Sequence, residues 1–175
     1  VGANGSGKST LLQIIAGAIA ATEGVVRYSA GREIAPEHAY RQLSLSAPYL
    51  ELIEEMTAME FLRFHHAFKP FLASHSPSGI LDTVGLATAA EKQIRFFSSG
   101  MKQRLKLAQA IYSDTSAILL DEPCTNLDAE GVALYQSIIR QNGNDRLVIV
   151  SSNDPQEYDF CETVLDIRRY KQPQR

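Results

Sequence analysis

Tryptophan is absent from the 175 residues, and only two cysteines, Cys124 and Cys161, and three methionines occur. Two cysteines without framework spacing do not make a disulfide-stapled scaffold, so the expected setting is reducing and intracellular. No apolar run approaches the roughly 18 residues of a membrane-spanning helix, so any membrane work needs another segment or polypeptide to cross the bilayer. A basic excess is missing too: 17 Lys and Arg stand against 20 Asp and Glu, a formal net charge of −3. That balance argues against nucleic acid as the main partner. Repeats and coiled-coil heptads are also absent. What remains is 45% hydrophobic and 21% charged residues, the make-up of one globular domain with a sizeable core.

The stretch Gly2-Ala3-Asn4-Gly5-Ser6-Gly7-Lys8-Ser9, followed by Thr10, matches the phosphate-loop pattern G-x-x-x-x-G-K-[ST]. Its glycines let successive backbone N–H groups converge on one anion, and a helix opening near Lys8 aims its positive end at the same place. Lys8 is then placed to reach the β- and γ-phosphates, and the Ser9 hydroxyl suits Mg²⁺. The bland alternative, a glycine turn with a chance lysine, is weakened by the helical run from Thr10 to Ile15. A dinucleotide fingerprint wants a third glycine where Thr10 stands, and the glycosylation sequon Asn4-Gly5-Ser6 lies in a loop that has to close on phosphate. Phosphate loops are built as strand, loop, helix. Only Val1 precedes Gly2, so the expectation is a domain lacking its N-terminal strands, with an open sheet edge prone to aggregation.

Periodicity predicts a buried helix from Lys8 to about Ala20, a strand over Gly24–Ser29 and an extended segment over Tyr40–Ser46. Thr57 looks like the cap of a helix running through Phe68, with Met59, Phe61, Leu62, Phe64 and Phe68 as its core stripe. His65 and His66 on that helix have no third ligand at metal spacing and read as packing or surface residues. A short helix over Ile80–Val84 follows the Ser/Pro-rich loop, and another helix runs from Ser98-Ser99-Gly100 to about Tyr112. Ala117–Leu120 is a buried parallel strand, Thr125-Asn126-Leu127-Asp128 signals entry to a helix faced by Val132, Tyr135, Ile138 and Ile139, and Arg146–Ser151 and Thr163–Ile167 are the last strands. The basic tail Arg168-Arg169-Tyr170-Lys171 reads as a solvated end. Alternation of this kind predicts an α/β fold with a mostly parallel sheet.

Asp121 and Glu122 end the apolar strand, where open α/β sheets bind ligands. Two adjacent carboxylates buried without partners are costly, and nucleotide-bound Mg²⁺ with a polarised water would supply the partners. Asp121 is therefore assigned to the metal and Glu122, pointing another way, to the attacking water as general base. A helix-entry pair of acids before Pro123 is the alternative. Lys8, Mg²⁺ and Glu122 together provide what phosphoryl transfer to water needs. The chain from Lys8 to Asp121 is much longer than one strand and one helix require, so the helical stretch from about Pro48 to Phe97 is read as an insertion. The expected division is a catalytic core over 1–47 and 114–175 and a helical subdomain over about 48–113.

Phe97-Ser98-Ser99-Gly100-Met101-Lys102-Gln103-Arg104 matches the signature L-S-G-G-Q-x-Q-R. With the phosphate loop, Ile118–Pro123 and Thr125-Asn126-Leu127-Asp128, the chain resembles the ATP-binding cassette family, the ATPase subunits of ABC transporters. The resemblance implies a P-loop NTPase fold with an inserted helical subdomain, binding ATP and Mg²⁺. It implies a homodimer or heterodimer of cassettes in which Ser98 and Gly100 of one subunit touch the γ-phosphate held by the other. It also implies a transmembrane partner and a peripheral place on the cytoplasmic face of the cell membrane. An ordinary serine helix cap is the alternative for Phe97–Gly100, although an anion is favoured there in either reading.

Three departures stand out. The glutamine that usually ends the strand read at Tyr40–Ser46 is missing from Ser46-Ala47-Pro48. Asn153, within Ser151-Ser152-Asn153-Asp154, occupies the place of a histidine, where its amide donates a hydrogen bond but carries no charge. Ser99 and Met101 replace glycine and glutamine in the signature. Besides an ATP-hydrolysing transporter subunit, the residues admit a soluble cassette ATPase acting on ribosomes or DNA and a regulatory nucleotide-binding module. A P-loop small-molecule kinase is more distant.

Overall fold

The computed structural model describes residues 1–170; Lys171 of the basic tail lies outside them. A small antiparallel ribbon of β1 (Tyr28–Ser29) and β2 (Glu33–Ile34) precedes the main sheet. That sheet is parallel, with β3 (Leu43–Ser46), β4 (Ala117–Asp121) and β5 (Leu147–Ser151) side by side in that order. Leu120 lies opposite Ser46 on one side of β4, and Asp121 opposite Ser151 on the other. The C-terminal ends of all three strands therefore meet in one row.

Every residue of β4 is buried, as its unbroken apolar run implies. β5 is different. Among the described residues it pairs with β4 alone, Leu147 is 60% exposed, and of its own residues only Ser151 is buried. The reading of Arg146–Ser151 as a buried strand is corrected: its free edge borders a groove of about 620 Å³ between α1 (Lys8–Ile15), β5 and residues 161–167.

The helices follow their capping residues closely, because a cap is a local device. Thr57 and Glu60 form a reciprocal capping box at the start of α2 (Ala58–Phe68). Ser76 caps α3 (Pro77–Thr83), Ser98 caps α4 (Ser99–Tyr112), and Asp128 caps α5 (Ala129–Asn142). Other boundaries differ from the sequence reading. α1 stops at Ile15 because Gly17 turns left-handed, with φ of 72°. The strand predicted from Gly24 shrinks to Tyr28–Ser29, and Pro36 starts a 3₁₀ turn through Arg41, so the extended segment begins at Leu43. Thr163–Ile167 does not become a strand. Its Leu165 carbonyl and Ile167 N–H bond Val1, Val164 and Leu165 are exposed, and no ladder extends that pair of bonds.

One apolar cluster runs from Leu52, Phe61 and Leu62 through Ile94 and Leu105 to Ile118, Leu120, Tyr135 and Ile139. The α2–α4 layer and the sheet thus share a core. Phe64 and Phe68 stand outside it, exposed and packed on each other at 4.9 Å. They are not core: α2 turns Ala58, Phe61 and Leu62 inward and leaves its C-terminal aromatics at the rim of a second groove that Leu45, Leu50 and Ile53 also line.

Candidate active site

Gly2–Lys8 folds into a tight loop because its glycines adopt angles that other residues resist. Gly7, with φ of 98°, leads directly into α1 and supplies no side-chain cap, so the first N–H groups of that helix face outward for an anion. At Gly2 a β-carbon would meet the Ile167 side chain at 2.7 Å and the Ser6 hydroxyl at 2.8 Å, so no larger residue fits. Lys8 is buried. Its ammonium donates to the Gly2 carbonyl at 2.6 Å and the Ala3 carbonyl at 3.3 Å, bracing the loop from within. Ser6 is buried too, whereas Ala3, Asn4, Gly5 and Thr10 face solvent and Ser9 is half-buried beside Lys8.

Four buried oxygens have no hydrogen-bond partner among the described residues: Ser6 Oγ in the phosphate loop, and Ser46 Oγ, Asp121 Oδ1 and Ser151 Oγ at the strand ends. Asp121 and Ser151 face each other in register on β4 and β5, whereas Ser46 ends β3 opposite Leu120 and so on the other face of the sheet; the deficit beside Asp121 is thus shared with Ser151. Orphaned buried polar atoms are rare and call for a partner. Hard oxygen donors suit Mg²⁺, which keeps several waters and takes few protein ligands. No group of three or more His, Cys, Asp or Glu side chains gathers among the described residues. Ser9 and Asp121 would hold the ion together with substrate phosphates. Asp121 is 2% exposed, and its unpaired oxygen is the most direct sign that a cation belongs there.

Glu122 leaves the strand in a left-handed turn, with φ of 43°. Its side chain is thereby released from the strict alternation of the strand. Its N–H donates to the Ser151 carbonyl at 2.9 Å, and its carbonyl accepts from the Thr125 N–H at 3.1 Å. Asn153 closes the other side. Its Oδ1 accepts from the Gly2 N–H and its Nδ2 donates to Asn4 Oδ1, both at 3.1 Å. One amide thus clips the loop after β5 to the phosphate loop.

Ser98 and Gly100 are not drawn into this cluster. Ser98 is exposed and accepts from the Met101 N–H at 3.2 Å, capping its own helix. A β-carbon on Gly100 would meet the Asn126 carbonyl at 3.2 Å. Sequence reading missed three contributors. Gln103 is buried and donates to the Pro123 carbonyl at 2.7 Å. The Ser46 hydroxyl sits at the strand end where glutamine was missing. Glu157, 5% exposed, accepts from the Cys124 N–H at 2.7 Å. Burial pushes the Cys124 thiol up to about 12, helped by the charge of Glu157 and a bond to it. Nothing in local spacing distinguishes Glu157 from a surface acid.

Residues 1–125 match the family model described as ABC transporter. The chain is 35% identical over 138 residues to the cytochrome c biogenesis ATP-binding export protein CcmA of Xylella fastidiosa (strain 9a5c), covering 79% of this chain and 62% of that one. It is also 35% identical over 159 residues to the taurine import ATP-binding protein TauB of Jannaschia sp. (strain CCS1), covering 87% and 58%. It thus spans less than two thirds of either relative. Among solved structures, an ATP-binding cassette captured as a dimer in a post-hydrolysis state with ADP and Pi superposes with a TM-score of 0.76 at 23% identity, over 91% of this chain and 75% of that one. At that identity the likeness speaks for the fold, a P-loop α/β architecture.

Proposed function

Because this chain belongs to the ABC transporter family, we propose that it binds ATP with Mg²⁺ and hydrolyses it to ADP and phosphate. The work would be done for a transmembrane partner, from a peripheral position on the cytoplasmic side of the membrane. The observation that carries the reading is the pair of unpaired oxygens at Asp121 and Ser151, neighbours across β4 and β5, in a chain whose phosphate loop is braced by Lys8. A folded protein tolerates such a deficit where a ligand removes it.

In this reading Gly2 to Thr10 cradle the phosphates through backbone N–H groups and the start of α1. Lys8 exchanges its carbonyl partners for phosphate oxygens. Ser9 and Asp121 would hold Mg²⁺, which when bound would supply charge neutralisation at the phosphates. Glu122 takes the proton of the attacking water, and Asn153 offers its amide to the transferred group. The cap of α4, with Ser98 and Gly100, would close over the nucleotide of a second cassette, and residues 48–113 would carry it as a helical subdomain. The exposure of Ser98 supports that role. The names of the two relatives, one an export and one an import protein, support transport and leave its direction open.

Phosphate release by Glu122→Gln tests the proposal. Turnover should fall by at least about a hundredfold, the scale of general-base catalysis, while ATP binding persists. Undiminished turnover refutes Glu122 as the base. Co-purification with a membrane protein, rather than with RNA or DNA, tests the partner.

A further inference from the structure

A buried carboxylate outside the predicted site makes a contact that the proposed mechanism does not use. Glu157 ends the 3₁₀ turn Pro155–Glu157, three residues after Asp154 and in the same loop as Asn153. One carboxylate oxygen accepts from the Cys124 N–H at 2.7 Å, and the Glu157 carbonyl accepts from the hydroxyl of fully buried Tyr135 at 2.7 Å. Burial raises the Glu157 pKa, hydrogen bonds from Ser152 and the Cys124 N–H oppose the rise, and the charges of Asp154 and Glu122 add to it. Keeping an acid in such a place is unfavourable unless it holds something that an apolar residue cannot.

What it holds is the turn that carries Glu122. A non-glycine residue at φ of 43° persists only where its surroundings over-determine it. Here the turn is fastened at Glu122 N to Ser151, at the Pro123 carbonyl to Gln103, and at Cys124 N to Glu157. Two of the three anchors belong to the segment that also carries Asn153, so this segment grips both the phosphate loop and the turn of the base.

We infer that Glu157 is a positioning residue: by accepting the Cys124 N–H it fixes the left-handed turn at Glu122 and so aims the Glu122 carboxylate at the attacking water. This rests on the hydrolytic reading given above. The bond is short at 2.7 Å, and it acts through Glu122 without touching substrate.

The test uses the full chain with Glu157→Ala and Glu157→Gln, following phosphate release, nucleotide affinity and hydrogen exchange at the Cys124 amide. Glu157→Ala is expected to lower kcat about 10- to 100-fold, the usual cost of losing a residue that orients a functional one, with KM within about threefold. Glu157→Gln retains an acceptor oxygen and is expected to recover most of kcat. A folded Glu157→Ala variant with unchanged kcat overturns the inference, as does a Glu157→Gln variant as impaired as Glu157→Ala with its Cys124 amide still protected. If Glu157→Ala does not fold, Glu157→Gln and the wild-type amide decide: fast exchange of Cys124 N–H in folded wild type overturns the contact. Wild type that releases no phosphate refutes the hydrolytic reading instead. In that case slow Cys124 exchange, kept by Glu157→Gln and lost in Glu157→Ala, upholds the contact.

Discussion

Replacing Asp121 by Asn should make the nucleotide-free protein more stable while removing its response to Mg²⁺ and ATP. Asp121 is 2% exposed, and its Oδ1 has no partner. An unsatisfied buried polar group costs about 1–3 kcal/mol, and a carboxylate stands at the upper end of that range. Ser151 faces Asp121 in register on β5 with an equally unpaired hydroxyl. An asparagine amide can donate to that oxygen, which removes two deficits and one buried charge together. Taking about 2 kcal/mol and about 3 °C per kcal/mol for a chain of this size gives a rise of roughly 6 °C in Tm. The wild type should gain about 2.7 kcal/mol from Mg·ATP at a hundred times Kd, whereas Asp121→Asn should gain much less. Thermal melts of both proteins, with and without Mg·ATP, measure both effects. A lower Tm for nucleotide-free Asp121→Asn would show that the carboxylate is already satisfied, and the argument from orphaned oxygens fails.

Asn153→Ala removes the clip to Gly2 and Asn4 and should weaken ATP binding about 2- to 10-fold, the worth of one net hydrogen bond; Asn153→His should retain measurable hydrolysis. Unchanged affinity, or complete loss of turnover, contradicts these two outcomes respectively. His65 is held neutral: burial first, then the charges of Lys69 and His66, lower its pKa from 6.5 to about 4. The unfolded chain therefore binds a proton that the folded chain refuses, so this contribution to stability is complete above about pH 6.5 and is lost as pH falls toward 4. Chemical denaturation at several pH values should show a slope over that window that His65→Gln flattens. At the free edge of β5, Leu147 is 60% exposed and unpaired backbone groups invite strand addition. Leu147→Lys should reduce concentration-dependent light scattering without lowering Tm, and equal scattering in both proteins would place the self-association elsewhere.

Devices confined to a few consecutive residues were legible without coordinates. The phosphate loop at Gly2–Thr10, the acids at the end of an apolar run, and the caps Thr57, Ser98 and Asp128 each act within a turn of their own backbone, so their spacing is their signal. The core positions of α4 and α5 could be read from period for the same reason. Reading failed where an outcome depended on a distant neighbour. Thr163–Ile167 has strand composition but meets little more than Val1. Arg146–Ser151 has the apolar content of a buried strand but pairs on one side only.

The amino-acid order by itself determined the family, the chemistry of the phosphate loop and the pair of carboxylates at Asp121 and Glu122, because these are stretches of consecutive residues. Tertiary structure alone decided that oxygens of Asp121 and Ser151 would face each other without partners, that Asn153 would clip the loop, and that Glu157 would hold the turn of Glu122. The reason is that a hydrogen bond between residues far apart in sequence exists only once strand register and burial have set their distance. No local pattern encodes that distance.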